Sequence, residues 1–418
     1  MGINEANAEA VARIQRGTAR LTGIRMAGEV VPGLTDKMIL HAGPPVRWDQ
    51  MCGTMRGAVL GTILYEGWAP DAETAEEVAA SGEITFDSCH HHRSVGPMAG
   101  MISRSMAVYT TVNDVYDVET YTTLNMGLGK VLRMGAYGPE IIEKLRWMNG
   151  AMAPVLADAL EALGPVDIKQ LMSQALQMGD ELHNRCKAGT ALFLKTLAPA
   201  IAEVGGSEAP RVLAHLGSTD GMFLNNAMAA CKAMVEPAHN IPDSSIVTAL
   251  SRNGYEFGIR ISGLGDQWFT APSPYVKGLF FPGYGPEDQD RDIGDSAITE
   301  TVGLGAFAMA GSPMITQLVG GTPTSAIEIT DRMYEITEAE SEMFRLPNMD
   351  FRGTPVGIDI RRVIESGLEP EIDTGISHKV PGVGQIGAGL TVAPIECFAK
   401  AVEAFAARAA DPVAPRAA

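Results

Sequence analysis

Across residues 137–234 apolar side chains return at helical spacing with Ala, Leu, Met and Glu between them, and the pattern breaks at Gly164-Pro165, Gly205-Gly206 and Pro210. Such a block can bury its faces only as packed helices, about four to six of them at ordinary helix lengths. The flanks differ. Before the block lie β-branched runs such as Ala107-Val108-Tyr109-Thr110-Thr111-Val112, and after Ser245 strand-like segments run repeatedly into Gly-rich turns. With 418 residues, too many for one ordinary domain, the chain reads as a multi-domain protein of mixed α/β (α+β) class. An N-terminal α/β domain (residues 1–130) and a C-terminal α/β domain (245–418) are expected to flank a helical subdomain (131–244). Strand-end loops of the two α/β parts converge only if those parts face each other, so a site is expected in the cleft between them.

The densest chemistry lies in the first part. Helical patterns at residues 4–18, 51–69 and 72–80 and strand patterns at 23–31 and 84–86 lead to Asp87-Ser88-Cys89-His90-His91-His92-Arg93-Ser94-Val95-Gly96-Pro97-Met98-Ala99-Gly100, with three of the eight histidines. Imidazoles, a thiol and a guanidinium are crowded there onto a turn at a strand end, where functional groups commonly sit. In an extended segment His90 and His92 share a face and could meet one ion while His91 could not. No Cys-x-x-Cys or His-x-x-x-His pair accompanies them, so zinc is not favoured and no metal ligand is assigned. Anion binding fits better: Arg93, the Ser94 hydroxyl and the amides of a Gly-rich turn can hold a carboxylate or phosphate, with an imidazole beside them to move a proton. The plain alternative is a solvated or structurally satisfied histidine run. Arg47, beside Trp48 after the Gly43-Pro44-Pro45 turn, is a second candidate contact, and its alternative is a turn anchored by the indole.

Inside the helical block, Asp180-Glu181-Leu182-His183-Asn184-Arg185 is a polar island. Read as helix, it offers a surface pair between Glu181 and Arg185 or, more sharply, Glu181, His183 and Arg185 presented to a cleft. In the last part, residues 255–261 alternate as a half-buried strand carrying Arg260 and run into Ser262-Gly263-Leu264-Gly265, too few glycines for a dinucleotide fingerprint. Residues 276–288, with Lys277, combine Gly, Pro and aromatics as an ordered binding loop or, equally, a domain-crossing segment would. Asp295 or Ser296 could cap a small-residue helix over 302–311, whose amino end would attract an anion. His378 and Lys379 end a polar strand before the glycines of 382–389, without the Gly-Lys-Ser/Thr ending of a phosphate loop. An Ala-rich helix is read over 397–409 and a frayed tail over 411–418.

Charge narrows the partners. Lys plus Arg number 32 against 50 Asp plus Glu, a net charge of -18, which opposes nucleic acid and anionic membranes and leaves small molecules and other proteins. Cysteines 52, 89, 186, 231 and 397 follow no metal or disulfide spacing and read as reduced thiols of a cytoplasmic protein, with no leader or spanning segment. The 22 methionines suit a soft core or a subunit interface.

Several motifs, in order along nearly the whole chain, carry a resemblance. They are His41-Ala42-Gly43-Pro44-Pro45, Cys89-His90-His91-His92 with Val95-Gly96-Pro97-Met98-Ala99-Gly100, and Arg252-Asn253-Gly254. Further on come Gly278-Leu279-Phe280-Phe281-Pro282-Gly283-Tyr284-Gly285, Ile293-Gly294-Asp295-Ser296-Ala297-Ile298-Thr299-Glu300-Thr301 and Gly384-Gln385-Ile386-Gly387-Ala388-Gly389. The chain resembles the bacterial YlbE/YahG-like family, one branch of which is similar to the AllG subunit of oxamate carbamoyltransferase. The resemblance implies a part in phosphorolysis of oxalurate to oxamate and carbamoyl phosphate, in anaerobic allantoin use and so in purine catabolism, within a hetero-oligomer of other subunits. Phosphate would be a co-substrate, and no cofactor is implied. A homodimer is also compatible.

That chemistry needs a site for phosphate, another for the carboxylate of a small anionic substrate, donors for a developing oxyanion and a proton for the leaving nitrogen. Arg93 with Ser94, Arg47, and Arg260 with Lys277 are candidates for the anions, with Asp295, Ser296, His378 and Lys379 as further substrate contacts. Amides at Gly96 or Gly294 could serve the oxyanion. His90, His92 and Glu300 are the expected catalytic set, the imidazoles moving protons while Asp295 and Glu300 orient them. Two other classes stay open: a stand-alone hydrolase of a small amide or ureido acid, metal-assisted through His90 and His92, and a non-catalytic scaffold subunit.

Overall fold

The computed structural model describes residues 2–410, so the tail expected over 411–418 lies outside the described residues. The helical block forms six helices: Pro139–Trp147, Ala153–Leu163, Ile168–Gln177, Lys187–Val204, Ala209–Gly217 and Leu224–Val235. Prolines stand in the first turns of the first and fifth, where a missing N–H leaves no bond unmade, and the second continues from the first through a π turn at Met148–Met152, next to its own proline. Leu224–Val235 is buried at every position and acts as the pillar of the fold. Two of its polar members are paired inside: Asn225 donates to the Thr123 carbonyl (2.6 Å), and Lys232 pairs with Glu236 (2.5 Å), whereas the Asn226 side-chain amide has no hydrogen-bond partner.

Against this helix packs a five-stranded sheet in the order Ser94–Val95, Val118–Thr123, Ala107–Asn113, Arg20–Met26, Val166–Asp167. Its pairs are antiparallel except the first, which is parallel. A smaller sheet pairs Met38–His41 in parallel with Thr85–Ser88 and antiparallel with Gly100–Ile102, so the histidine turn leaves a strand end. Farther along are a four-stranded sheet (Phe269–Pro272, Glu256–Ile261, Val247–Asn253, Ile293–Gly294), a three-stranded one (Lys277–Phe280, Gln385–Val392, Glu371–Ser377), and the pair Thr337–Leu346 with Arg352–Ile358. The class is mixed α/β with several small sheets. The largest apolar cluster draws on distant stretches of chain, from Ala10 and Tyr109 through Phe193 and Met228 to Val356. Methionines 148, 152, 172, 222, 228 and 234 sit in it, as a soft filler would.

Three local expectations are corrected. The strand read over 23–31 runs instead as Arg20–Met26 and then turns into a short helix, Ala27–Val30, because the amides of Ala27 and Gly28 are taken by carbonyls of Met106 and Arg104. The polar island is not helical: residues 180–185 form a loop with Leu182 at φ 70, and Arg185 pairs with Asp180 rather than Glu181. The small-residue helix over 302–311 is two tight stretches, Ser296–Val302 and Gly305–Gly311, broken where Gly303 and Gly305 take φ of 87 and 60. Asp295 makes no cap there, since its carboxylate is bonded elsewhere.

Candidate functional site

The loop between Ile168–Gln177 and Lys187–Val204 is tied down by its own carboxylates. Asp180 accepts from the Gly189 amide (2.8 Å) and Arg185 Nε (3.1 Å), and Glu181 accepts from the amides of Asn184 (2.5 Å) and Arg185 (2.7 Å). That folding turns His183 inward. Its Nδ1 lies 2.8 and 3.1 Å from the two Glu300 oxygens and 3.6 Å from Asp373 Oδ1. Glu300, in Ser296–Val302, also accepts from the Thr299 hydroxyl (2.9 Å) and the Ala306 amide (3.2 Å). Asp373, in Glu371–Ser377, has no hydrogen bond to either carboxylate oxygen. All three are buried. Burial, reinforced by the charge of Glu300, holds the Asp373 carboxyl well above the usual range, and burial with Asp373 as neighbour does the same to Glu181.

Beside this cluster opens a narrow pocket of about 40 Å³, lined by His183, Arg133, Ser296, Thr374, Gln385 and Met98 among others. Arg133 is 2% exposed, donates through Nε to the Gly127 carbonyl (2.7 Å), and meets no carboxylate among the described residues. Burial alone pulls its pKa down to about 10. A desolvated guanidinium with free donors and no counterion draws an anion into its reach.

Ser296 and Thr374 are positioned from beneath by Arg252. Its guanidinium grips Asp292 at 2.6 and 3.1 Å and donates to the Gly294 carbonyl (2.7 Å) and the Thr374 hydroxyl (3.0 Å), all fully enclosed. This ion pair fixes the strand Ile293–Gly294 against Val247–Asn253 at the point where the chain enters the Ser296 turn.

The histidine motif divides three ways. Cys89–His92 is a tight turn, not an extended segment, so His90 and His92 do not converge on one point. His90 is buried with Nε2 3.5 Å from Asp295, neither ring nitrogen hydrogen-bonded, and burial lowers its pKa to about 4. Asp295 accepts from the amides of Gly43 and Gly96 (both 2.9 Å) and from the Ser251 hydroxyl, which ties two loops to the strand Val247–Asn253. Arg260 reaches the His90 carbonyl (3.5 Å) and pairs with Asp266 and His239. His91 and His92 share Asp87 at 2.8 and 3.0 Å. Burial opposes a charge on His92, but its bonds to Asp87 and the Pro32 carbonyl prevail and raise its pKa.

Of the other expected contacts, Arg93 is exposed at φ 51, and the Ser94 hydroxyl is turned to the His92 carbonyl (3.0 Å). Arg47 is 72% exposed and held by Asp49; Lys277 and Lys379 are exposed; His378 accepts from the Val380 amide (2.9 Å). Ser296 lines the pocket and Glu300 holds His183. Arg133, Asp373 and Arg252 were not singled out as ligand-facing groups from sequence. His183 was, within the polar island, and the signal was the break in an apolar helical pattern.

A family model described as oxamate carbamoyltransferase subunit AllG matches residues 84–296, half of the chain. The uncharacterized protein YahG of Escherichia coli (strain K12) is 48% identical over 402 residues, 96% of this chain and 85% of that protein. Oxamate carbamoyltransferase subunit AllG of the same strain is 44% identical over 409 residues, 97% of this chain and 98% of that one. The chain belongs to the AllG family. A crystal structure of a conserved protein of unknown function from Enterococcus faecalis V583 shares its fold, with a TM-score of 0.95 at 45% identity over 97% of this chain and 98% of that one. The AllG match begins at Ile84, beside the histidine turn, and spans Arg133 and His183 to end at Ser296. Among the described residues no helix is long and apolar enough to cross a membrane.

Proposed function

We propose that this chain is a subunit of a carbamoyltransferase that moves a carbamoyl group between a small ureido or oxo acid and phosphate, active within a hetero-oligomer, and that the Arg133 pocket is its anion site. For oxalurate, a phosphate oxygen forms a bond to the carbamoyl carbon, the carbon–nitrogen bond breaks, and oxamate and carbamoyl phosphate leave. The proton carried by hydrogenphosphate ends on the oxamate nitrogen, so the step balances without another reactant. A chain serving such a step must mainly orient two anions and offset their charge. The buried, unpaired guanidinium of Arg133 carries the reading. Ser296, Thr374 and Gln385 on the same wall supply hydroxyl and amide groups that could fix the orientation of the bound anion.

The test is co-expression of the chain with the products of neighbouring genes, followed by an assay of carbamoyl phosphate formation. Arg133→Lys keeps the charge and loses the planar fork. At roughly 1.5–3 kcal/mol for each charge-assisted bond lost, KM for the anionic substrate or phosphate should rise about 10- to 150-fold in a folded complex. Activity from the isolated chain would refute the subunit reading, and an unchanged KM would refute the pocket.

A further inference from the structure

Glu181, Glu300 and Asp373 place three carboxylates in one buried neighbourhood, and no Lys or Arg among the described residues forms an ion pair with any of them. Among the described residues the one basic side chain paired with them is the His183 imidazole. A buried carboxylate is ordinarily bonded, paired or metal-bound, and Asp373, wholly enclosed, has neither oxygen hydrogen-bonded. His183 Nδ1 and one oxygen each of Glu300 and Asp373 lie within 4.8 Å of one another. Donor atoms about 2.1 Å from a shared ion sit roughly 3.4 Å apart in tetrahedral geometry. The measured separations of 2.8 and 3.6 Å from Nδ1 bracket that spacing.

We propose that His183, Glu300 and Asp373 bind a single divalent first-row ion, Mn²⁺ or Zn²⁺, at the inner wall of the pocket. One imidazole with two carboxylates suits these ions better than Mg²⁺, which prefers oxygen ligands alone and keeps its waters. The ligands come from three elements: the loop after Ile168–Gln177, the turn Ser296–Val302 and the strand Glu371–Ser377. Glu181 stands beside Asp373, its own oxygens taken by the amides of Asn184 and Arg185. An ion so held would leave coordination positions free on the side where His183 meets the pocket, where a substrate oxygen could be polarised. That use rests on the function proposed above; the binding of the ion does not.

The experiment strips the full-length chain with a chelator, dialyses it against Mn²⁺ or Zn²⁺, and counts bound metal while following the melting temperature. One equivalent per chain with a raised Tm is expected, and Asp373→Asn and Glu300→Gln should each bind at least tenfold more weakly. His91→Ala must keep the equivalent, because His91 pairs with Asp87 outside the cluster. Wild-type protein that takes up no ion, or the same affinity in wild type and Asp373→Asn, overturns the proposal. Should a variant fail to fold, anomalous diffraction from a metal-soaked wild-type crystal decides: a peak between the three side chains supports the site, and its absence there defeats it. A metal-loaded chain that supports no carbamoyl transfer with its partners would sink the function and leave the ion site standing.

Discussion

Replacing Arg252 by Met removes the cation that holds Asp292 while keeping an unbranched side chain of similar reach. Asp292 would then keep only the Ile293 amide (2.9 Å) and a long bond from Thr374 (3.3 Å) for a fully buried charge. Breaking one side of a buried pair costs about 3–5 kcal/mol, and the loss of the bonds to the Gly294 carbonyl and the Thr374 hydroxyl places this case near 4 kcal/mol. For a chain of 418 residues that is a fall in Tm of roughly 4–5 °C. The double variant Arg252→Met/Asp292→Leu removes both charges and should recover at least about 2 kcal/mol of the combined single losses, since an apolar replacement of a buried pair is often neutral. Urea unfolding followed by tryptophan fluorescence, with calorimetry alongside, measures all four corners of the cycle. A single variant costing under about 1 kcal/mol, or single losses that merely add, would show that the pair does not brace the fold as argued. The double variant should still bind anionic substrate poorly, because Ser296 and Thr374 lose the group that positions them.

Two histidines should tilt acid stability in opposite senses. The fold favours neutral His90, lowered by burial from 6.5 to about 4, so stability falls as pH drops through that window, and His90→Gln should flatten the acid limb. His92, raised above 6.5 by Asp87 and Pro32 against burial, contributes stability that is present below pH 6.5 and lost as pH rises through its raised value, so His92→Gln should remove that gain. Gly43→Ala, at φ 89 with its Cβ 2.5 Å from the Asn253 nitrogen, should cost more than about 2 kcal/mol in urea unfolding, whereas a neutral result would mean the loop can shift freely. Asp180→Ala frees the Gly189 amide at the start of Lys187–Val204 and releases Arg185, a loss of about 1–2 kcal/mol by the same assay; a loss under a few tenths would refute the capping role.

What the sequence disclosed and what it hid follow the range of the physics. The helix boundaries at Gly164, Gly205 and Pro210 were legible because glycine and proline act on their own backbone. The crowding of the histidine motif was legible too, but its division was not. An extended chain alternates faces, whereas the tight turn Cys89–His92 sends neighbours about 120° apart, so one side chain meets Asp295, two meet Asp87, and Arg93 meets solvent. Arg133 and Asp373 carry no local pattern at all. Asp373 looks like any polar member of an alternating strand, and its significance comes from His183 and Glu300, two groups themselves 117 residues apart.

The isolation of Asp373 yields a last prediction. A carboxylate enclosed without a hydrogen bond lowers the stability of the metal-free chain, and proteins commonly hold such groups where function, not folding, requires them. Asp373→Asn keeps the shape, replaces an enclosed carboxyl group that burial makes costly to ionise, and gives an amide N–H that can donate to Glu181 or Glu300. In the presence of a chelator the variant should therefore be the more stable protein, by about 1–2 kcal/mol in urea unfolding. With saturating Mn²⁺ or Zn²⁺ the order should reverse, because the wild type alone gains the binding free energy of the ion. A variant less stable than wild type in chelator would mean that the carboxylate serves the fold itself. An acid that the fold itself needs gives no reason for a cation between His183, Glu300 and Asp373.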